Sequence, residues 1–319
     1  MPPRTNDFQA AVYFIQTHIA GTAHVTESAM LLDSMINKKR EVDVLVEAEV
    51  TGKTLRIGIE CTAGTRKANL LWVEGMWAKH QCLPTNHVVL VASAGFTQDA
   101  ERKARLYHME PVTPGKTIPE DGPLASLLRS EVELREIECD DVVDIRGVIE
   151  HDGDDIEFPL GLEVAVFRAD GSRFATLEDV VRDTETYADE HELRDFVRNA
   201  QIGATYRLAI ERTPSDWYLR EATDPPRLLP LKALKIAREV RVRARPLPLT
   251  HGTLEDTGYA HGTGQLADST AFVVLTEGPG GSQMSVRLTT PEGAVTDWTA
   301  DRETQTLIRR AEPPGESPV

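Results

Sequence analysis

Between Lys39 and Phe96 the chain reads KREVDVLV, a Thr51-Gly52 turn, LRIGIECT, a helix-like NLLWVEGMWAKHQC and the apolar HVVLVASAGF. Each of the first two apolar segments holds one carboxylate, Asp43 within a strand and Glu60 at the end of the next. Side chains alternate with period two along a strand. Asp43 therefore falls opposite Val42, Val44 and Val46, and Glu60 opposite Leu55, Ile57 and Ile59. A buried carboxylate is costly unless it is paired, hydrogen-bonded or bound to a metal. Two of them side by side in a sheet suggest a cation site; the alternative is that both stand at strand ends in water.

The flanking segments predict how this pair is supported. Asn6 or Asp7 caps a helix carrying Phe8, Val12, Ile15 and Ile19 at helical spacing, and Gly21 ends it. Strands are expected at His24 to Leu32, Arg40 to Val50 and Lys53 to Cys61, forming an antiparallel meander. A helix with Leu70, Val73, Trp77 and His80 on one face leads into a buried strand at His87 to Ala92, paired in parallel across the helical crossover. Thr97 caps QDAERKARLYH, and Met109 to Val112 is a last short strand. The expectation is a mixed sheet with helices on its faces, complete by residue 113.

VTPGKTIPEDGP has too many prolines and glycines for an element interior and reads as a linker. The expected domains are 1–113, the linker 114–123, a β-rich domain over 124–310 with one acidic helical region near Leu177 to Asn199, and a disordered tail at 311–319. HGTLEDTGYAHGTG at 251–264 is expected to be a mobile loop, and HDGDD at 151–155 a hairpin tip. Arg241, Arg243 and Arg245 line one strand face, expected to pair with acidic neighbours. Residues 1–115 hold 12 Lys+Arg and 12 Asp+Glu, so the net charge of −16 belongs to the rest of the chain. An acidic domain repels phosphate backbones, which directs any nucleic-acid contact to the neutral first part. Three cysteines without metal-ligand spacing, no apolar run long enough to span a bilayer and no secretory leader predict a cytoplasmic protein with free thiols.

REVDVLV at 40–46, IECT at 59–62, WVEGMWAK at 72–79, VLVASAGFT at 89–97 and DAERKARLY at 99–107 appear in the order and spacing of a known pattern. The stretch from about residue 6 to 113 resembles the Mrr-like branch of the PD-(D/E)XK, restriction-endonuclease-like nuclease superfamily. The resemblance implies an α/β fold, a restriction-endonuclease-like mixed sheet flanked by helices, here followed by the β-rich C-terminal domain. It implies Asp43, Glu60 and the backbone carbonyl of Cys61 as ligands of Mg²⁺, with Mn²⁺ as a substitute. The family's lysine position is occupied here by Thr62, which brings no positive charge. Lys79 in the following helix and Lys67 in the loop past Glu60 are the candidate replacements, and a degenerate site is the third alternative. The opening helix has Gln9 near the position where active relatives often carry a glutamate.

Two functions from different classes follow. The first is a metal-dependent DNA endonuclease, plausibly in prokaryotic defence against foreign DNA such as phage DNA, with Asp43, Glu60 and Lys79 as its catalytic set. The alternative is a catalytically degenerate nuclease-fold protein that binds DNA or a protein partner within an assembly. DNA is the expected partner, a protein partner is expected through the acidic C-terminal domain, no membrane contact is expected, and a homo-oligomer is an open alternative. His18, His24, His80 and His87 lack zinc-type spacing with cysteine and read as structural.

Overall fold

The structure, a computed structural model, describes residues 6–118, 120, 122–129, 132–151, 153–182, 190–221, 223, 225–278, 281–300 and 307–309. The fold is mixed α/β, and the chain divides into two compact units, one built from residues 1–132 and 246–319 and the other from 133–245. This differs from the sequence expectation of one cut near residue 113. The C-terminal strands belong to the same unit as the N-terminal sheet, and the expected tail at 311–319 lies outside the described residues.

In the first unit, α1 (Asp7–Ile19), β1 (His24–Asp33), β2 (Lys38–Val50), β3 (Lys53–Thr62), α2 (Leu70–His80), β4 (His87–Ala92), α3 (Gln98–Leu106) and β5 (Glu110–Val112) follow the predicted order. The sheet runs β1-β2-β3-β4-β5, antiparallel through β3 and parallel from β3 to β5. Asn6 caps α1 by accepting the Gln9 N–H at 2.9 Å, and Gly21, at φ 60°, turns the chain out of it. On one sheet face, Val44, Val46, Ile59, Val89 and Val91 pack on Ala11, Phe14 and Ile15 of α1. On the other, Val88, Leu90 and Ala92 pack with Val73 of α2 and Ala100 and Ala104 of α3.

The chain returns to this unit as β13 (Thr250–Leu254), β14 (Thr257–Gln265), β15 (Thr270–Gly278), β16 (Gly281–Thr289), β17 (Val295–Ala300) and β18 (Leu307–Arg309), an antiparallel sheet in sequence order. Leu254, Tyr259, Phe272 and Val274 join the α1 core, so α1 is covered by a sheet on both sides. A fully buried Phe or Ile contributes about 1.5–3 kcal/mol, and Phe14 and Ile15 are within 1% of complete burial. The His18 ring joins Thr276 and Ser285 at 2.7 and 2.8 Å, fixing the end of α1 to the second sheet.

Two expectations are corrected here. The segment 251–264 is a β-hairpin rather than a mobile loop, and two of its glycines serve close backbone approach: a Cβ on Gly252 would strike the Gly115 carbonyl and one on Gly262 the Pro248 carbonyl. Residues 114–123 are not a free linker. Gly115 bridges Thr253, and the N–H of Leu124, in α4 (Pro123–Leu128), donates to Glu277 Oε2 at 2.8 Å.

The second unit contains β6 (Glu133–His151), β7 (Asp154–Pro159), β8 (Ala165–Phe167), β9 (Arg173–Thr176), α5 (Leu177–Arg182), α6 (Glu190–Asn199), β10 (Thr205–Arg212), β11 (Tyr218–Glu221) and β12 (Arg227–Pro246). Its strands follow the order β7-β6-β12-β11-β8-β9, with β10 also on β12. Arg243 and Arg245 pair with Glu138 and Glu136 at 2.7 and 3.0 Å, as the sequence predicts. Among the described residues no helix is long and apolar enough to cross a membrane.

Candidate functional site

The β2–β3 register pairs Val44 with Ile59, and alternation then brings Asp43 and Glu60 to neighbouring positions on the sheet face that carries α2. One Asp43 oxygen accepts the Cys61 N–H at 2.7 Å. Burial, and next the charge of Glu60, push the Asp43 carboxyl up to about 6, against the pull of that N–H and of Lys79.

Glu60 is 3% exposed. Its Oε1 accepts from Lys79 Nζ at 2.6 Å and faces His80 Nε2 at 2.8 Å. Both donors come from the last turn of α2, which is set by Asn69 capping the Trp72 N–H, by buried Val73 and by Trp77 stacked on Tyr107 at 4.5 Å. A carboxylate oxygen only accepts, so His80 Nε2 carries a proton. His80 Nδ1 is 3.0 Å from the Thr85 hydroxyl. Gly58, two residues before Glu60 on the same face, makes room for the ring: a Cβ there would lie 2.7 Å from His80 Cε1.

Of the candidate replacement lysines, Lys79 reaches Glu60, and Lys67 is exposed in the turn before α2. The Thr62 carbonyl accepts the Ser93 N–H at 3.0 Å, binding the end of β3 to the end of β4. Gln9 is buried and braces the strands instead of facing the carboxylates: its Nε2 donates to Ser28 Oγ at 3.2 Å and to the Asp43 main-chain oxygen at 3.3 Å. The Cys61 thiol is pushed up by burial and then by Asp43, Glu60 and Glu27, so it stays protonated and is a poor nucleophile and a poor metal ligand. That leaves the Cys61 carbonyl as the only role the resemblance gives this residue.

The sequence reads His80 as structural, and its place beside Glu60 was not foreseen. The signal was present: His80 adjoins Lys79, and Gly58 leaves a gap on the Glu60 face of β3. Trp72 and Trp77 take separate partners, Phe96 and Tyr107, and form no common stacking surface.

Among the described residues, no group of three or more His, Cys, Asp or Glu side chains is arranged to hold a metal ion. Mg²⁺ is ordinarily held by one or two carboxylates and keeps several waters, so the Asp43–Glu60 pair with a backbone carbonyl fits it where a soft-metal cage would not. No family model and no curated protein matches this chain. A crystal structure described as a protein of unknown function, AF1548, aligns at 15% identity and a TM-score of 0.29, over 39% of this chain and 66% of that one. A similarity at that level carries no argument about fold or function.

Proposed function

We propose that this protein is a metal-dependent DNA endonuclease of the Mrr-like, restriction-endonuclease-like kind, serving defence against foreign DNA. The observation that carries the reading is the Asp43–Glu60 pair on one sheet face, with an ammonium group supplied from α2 where the resembling family has a lysine on the strand. Asp43, Glu60 and the Cys61 carbonyl would hold Mg²⁺, which supplies polarisation of a phosphodiester and a more acidic water. Lys79 keeps positive charge beside Glu60, where it can turn to a phosphate oxygen and offset charge developing in the transition state. His80, its ring fixed by Thr85, keeps Glu60 oriented when Lys79 leaves.

A second reading is favoured by one specific observation. Glu60 Oε1 already has two donors, which is the state of a closed structural ion pair, and a nuclease-fold protein that binds DNA without cutting would retain that state. The experiment is cleavage of supercoiled and single-stranded DNA with Mg²⁺ or Mn²⁺ by the full chain, beside Glu60→Ala and Lys79→Ala. The expected result is cleavage by the wild type that falls by ~10–100-fold in Lys79→Ala, the range for losing a partner of a metal ligand, and by more in Glu60→Ala, which removes the ligand itself. Cleavage that survives Glu60→Ala overturns the site; salt-sensitive DNA retention without cleavage supports the second reading.

A further inference from the structure

The strand pairing is interrupted directly opposite Asp43. Along the β1–β2 ladder the register passes from Glu27–Val44 to Ala29–Val42 and leaves Ser28 and Asp43 unjoined between them. Ser28 stands at φ 50°, in the left-handed region that a residue with a Cβ rarely enters. Backbone strain of this kind persists only where the surroundings hold it in place.

Gln9 supplies the bridge that the ladder lacks. Its Nε2 donates to the Asp43 main-chain oxygen at 3.3 Å and to the Ser28 hydroxyl at 3.2 Å, from a side chain 3% exposed. A carbonyl oxygen only accepts, so the contact with Asp43 fixes which end of the carboxamide points there and requires a donor at position 9. An ionised glutamate of the same length would set one acceptor against another. The helix holds that donor still: the Asn6 side chain accepts the Gln9 N–H at 2.9 Å, and the adjoining Ala10 and Ala11 are buried in the α1 core. From β3, the Cys61 N–H reaches Asp43 Oδ2 at 2.7 Å. Asp43 is thus gripped at two points, its main chain from α1 and its carboxylate from the neighbouring strand.

We propose that Gln9 and Ser28 are positioning residues for the cation site. The left-handed conformation of Ser28 opens the ladder and Gln9 enters the gap. Together they set the Asp43 main chain so that its carboxylate meets the Cys61 N–H and stands beside Glu60. A site on the α2 face of the sheet is in this way aligned from the α1 face. The inference rests on the reading of Asp43 and Glu60 as ligands of a nuclease's Mg²⁺.

The test uses the full chain and four variants. Gln9→Met keeps the length and removes the donor, and Gln9→Glu replaces it with an acceptor. Ser28→Gly adopts a positive φ freely, whereas the β-branched Ser28→Val resists it. Two readouts stand apart from cleavage, both taken at a pH where Asp43 is ionised. Selective ¹⁵N labelling of the three cysteines follows the Cys61 amide, and with it the bond to Asp43, in the absence of metal. Calorimetric titration with Mn²⁺ gives the affinity of the site. In both Gln9 variants the Cys61 amide should shift and exchange faster, and Mn²⁺ affinity should fall about tenfold, the low end for losing a partner of a metal ligand. Ser28→Gly should keep both signals near the wild type, and Ser28→Val should lose both.

Mn²⁺ affinity that falls with no change at the Cys61 amide overturns the proposal. So does a lowered unfolding midpoint in the Gln9 variants with both signals intact, which makes Gln9 a structural brace and nothing more. Equal losses in Ser28→Gly and Ser28→Val overturn the part given to the Ser28 backbone. A Cys61 amide that responds as expected in a chain that binds no Mn²⁺ leaves the positioning of Asp43 standing and removes the nuclease reading. Mn²⁺-dependent cleavage indifferent to all four variants does the reverse.

Discussion

On the α1 side of the five-stranded sheet, Arg287 lies between Glu27 at 2.7 Å and Asp297, which it grips through both Nε and Nη2 at 2.8 Å. On the α2 side, Glu60 lies between Lys79 and His80, with Asp43 alongside. Both clusters combine two carboxylates with a basic side chain, Arg287 in one and Lys79 in the other, yet their electrostatics differ. Burial alone would lower the Arg287 pKa, but hydrogen bonds and charge from Asp297 and Glu27 outweigh it and raise the pKa further, so the cluster favours its fully charged state. Asp43 is instead raised to about 6, chiefly by burial and by the Glu60 charge. The first cluster has the cation it needs and ties β1 to β16 and β17; the second has a carboxylate that gains from one more positive charge. A raised carboxyl of that kind supports the proposed reading of Asp43 as a cation ligand, whereas the Arg287 pairs tie strands together.

The comparison breaks most sharply at Arg287. Arg287→Met leaves Glu27 and Asp297 without their cation, and removing one partner from a buried pair costs about 3–5 kcal/mol. Guanidinium unfolding should show that loss, and a change below about 1 kcal/mol would mean that the α1-side cluster is no tighter than a surface pair. Gly58→Ala sharpens the other side. Its Cβ would press on His80 at 2.7 Å, an overpacking cost of about 1–3 kcal/mol, and on the proposed nuclease reading DNA cleavage should fall with stability. Adding His80→Ala should recover much of the stability but not the cleavage, a non-additivity readable in a double-mutant cycle.

The smallest effect is the pH dependence at Asp43. Its pKa is raised from 3.8 to about 6 in the folded chain, so between those values the folded state keeps a proton that the unfolded state has lost. The folded state then binds more protons, and stability declines as pH rises through that window. Because Asp43 is half-buried, screening by solvent reduces its share to about 1 kcal/mol or less. Denaturant midpoints at pH 4.5 and 6.5 should differ less in Asp43→Asn than in the wild type; an equal difference would place the raised proton elsewhere. On the proposed nuclease reading, metal binding and cleavage, which need the carboxylate, should fall as pH drops through about 6.

Much of the first sheet was legible because its signals are local. The Val44–Ile59 register follows from two alternating strands joined by the Thr51-Gly52 turn, and it places Asp43 beside Glu60. Asn6, Asn69 and Thr97 cap their helices through their own side chains, and caps of this kind are visible in four residues of sequence. What was not legible depends on distant partners. Nothing near Phe14 announces that Phe272 will lie 6.4 Å from it, nor does anything near Gly115 announce Thr253. The 251–264 segment read as a loop because its glycines look like turn residues, whereas Gly252 and Gly262 lie where another backbone approaches closely. His80 shows the same limit: its hydrogen-bond partner Glu60 is a side chain 20 residues earlier.

The division of the first unit between the two ends of the chain has a consequence for how the protein is made. Val132 and Leu247 are joined by a 2.8 Å backbone hydrogen bond, so the 133–245 unit leaves and re-enters at adjacent points. During synthesis α1 emerges before the 133–245 unit, and the strands that cover its second face follow only after that insertion is complete. Phe14 and Ile15 must wait, partly uncovered, for Phe272 and Val274. A fragment ending at Val132 would inherit that uncovered face, whereas splicing Val132 to Leu247 through a short bridge would retain both sheets around the helix.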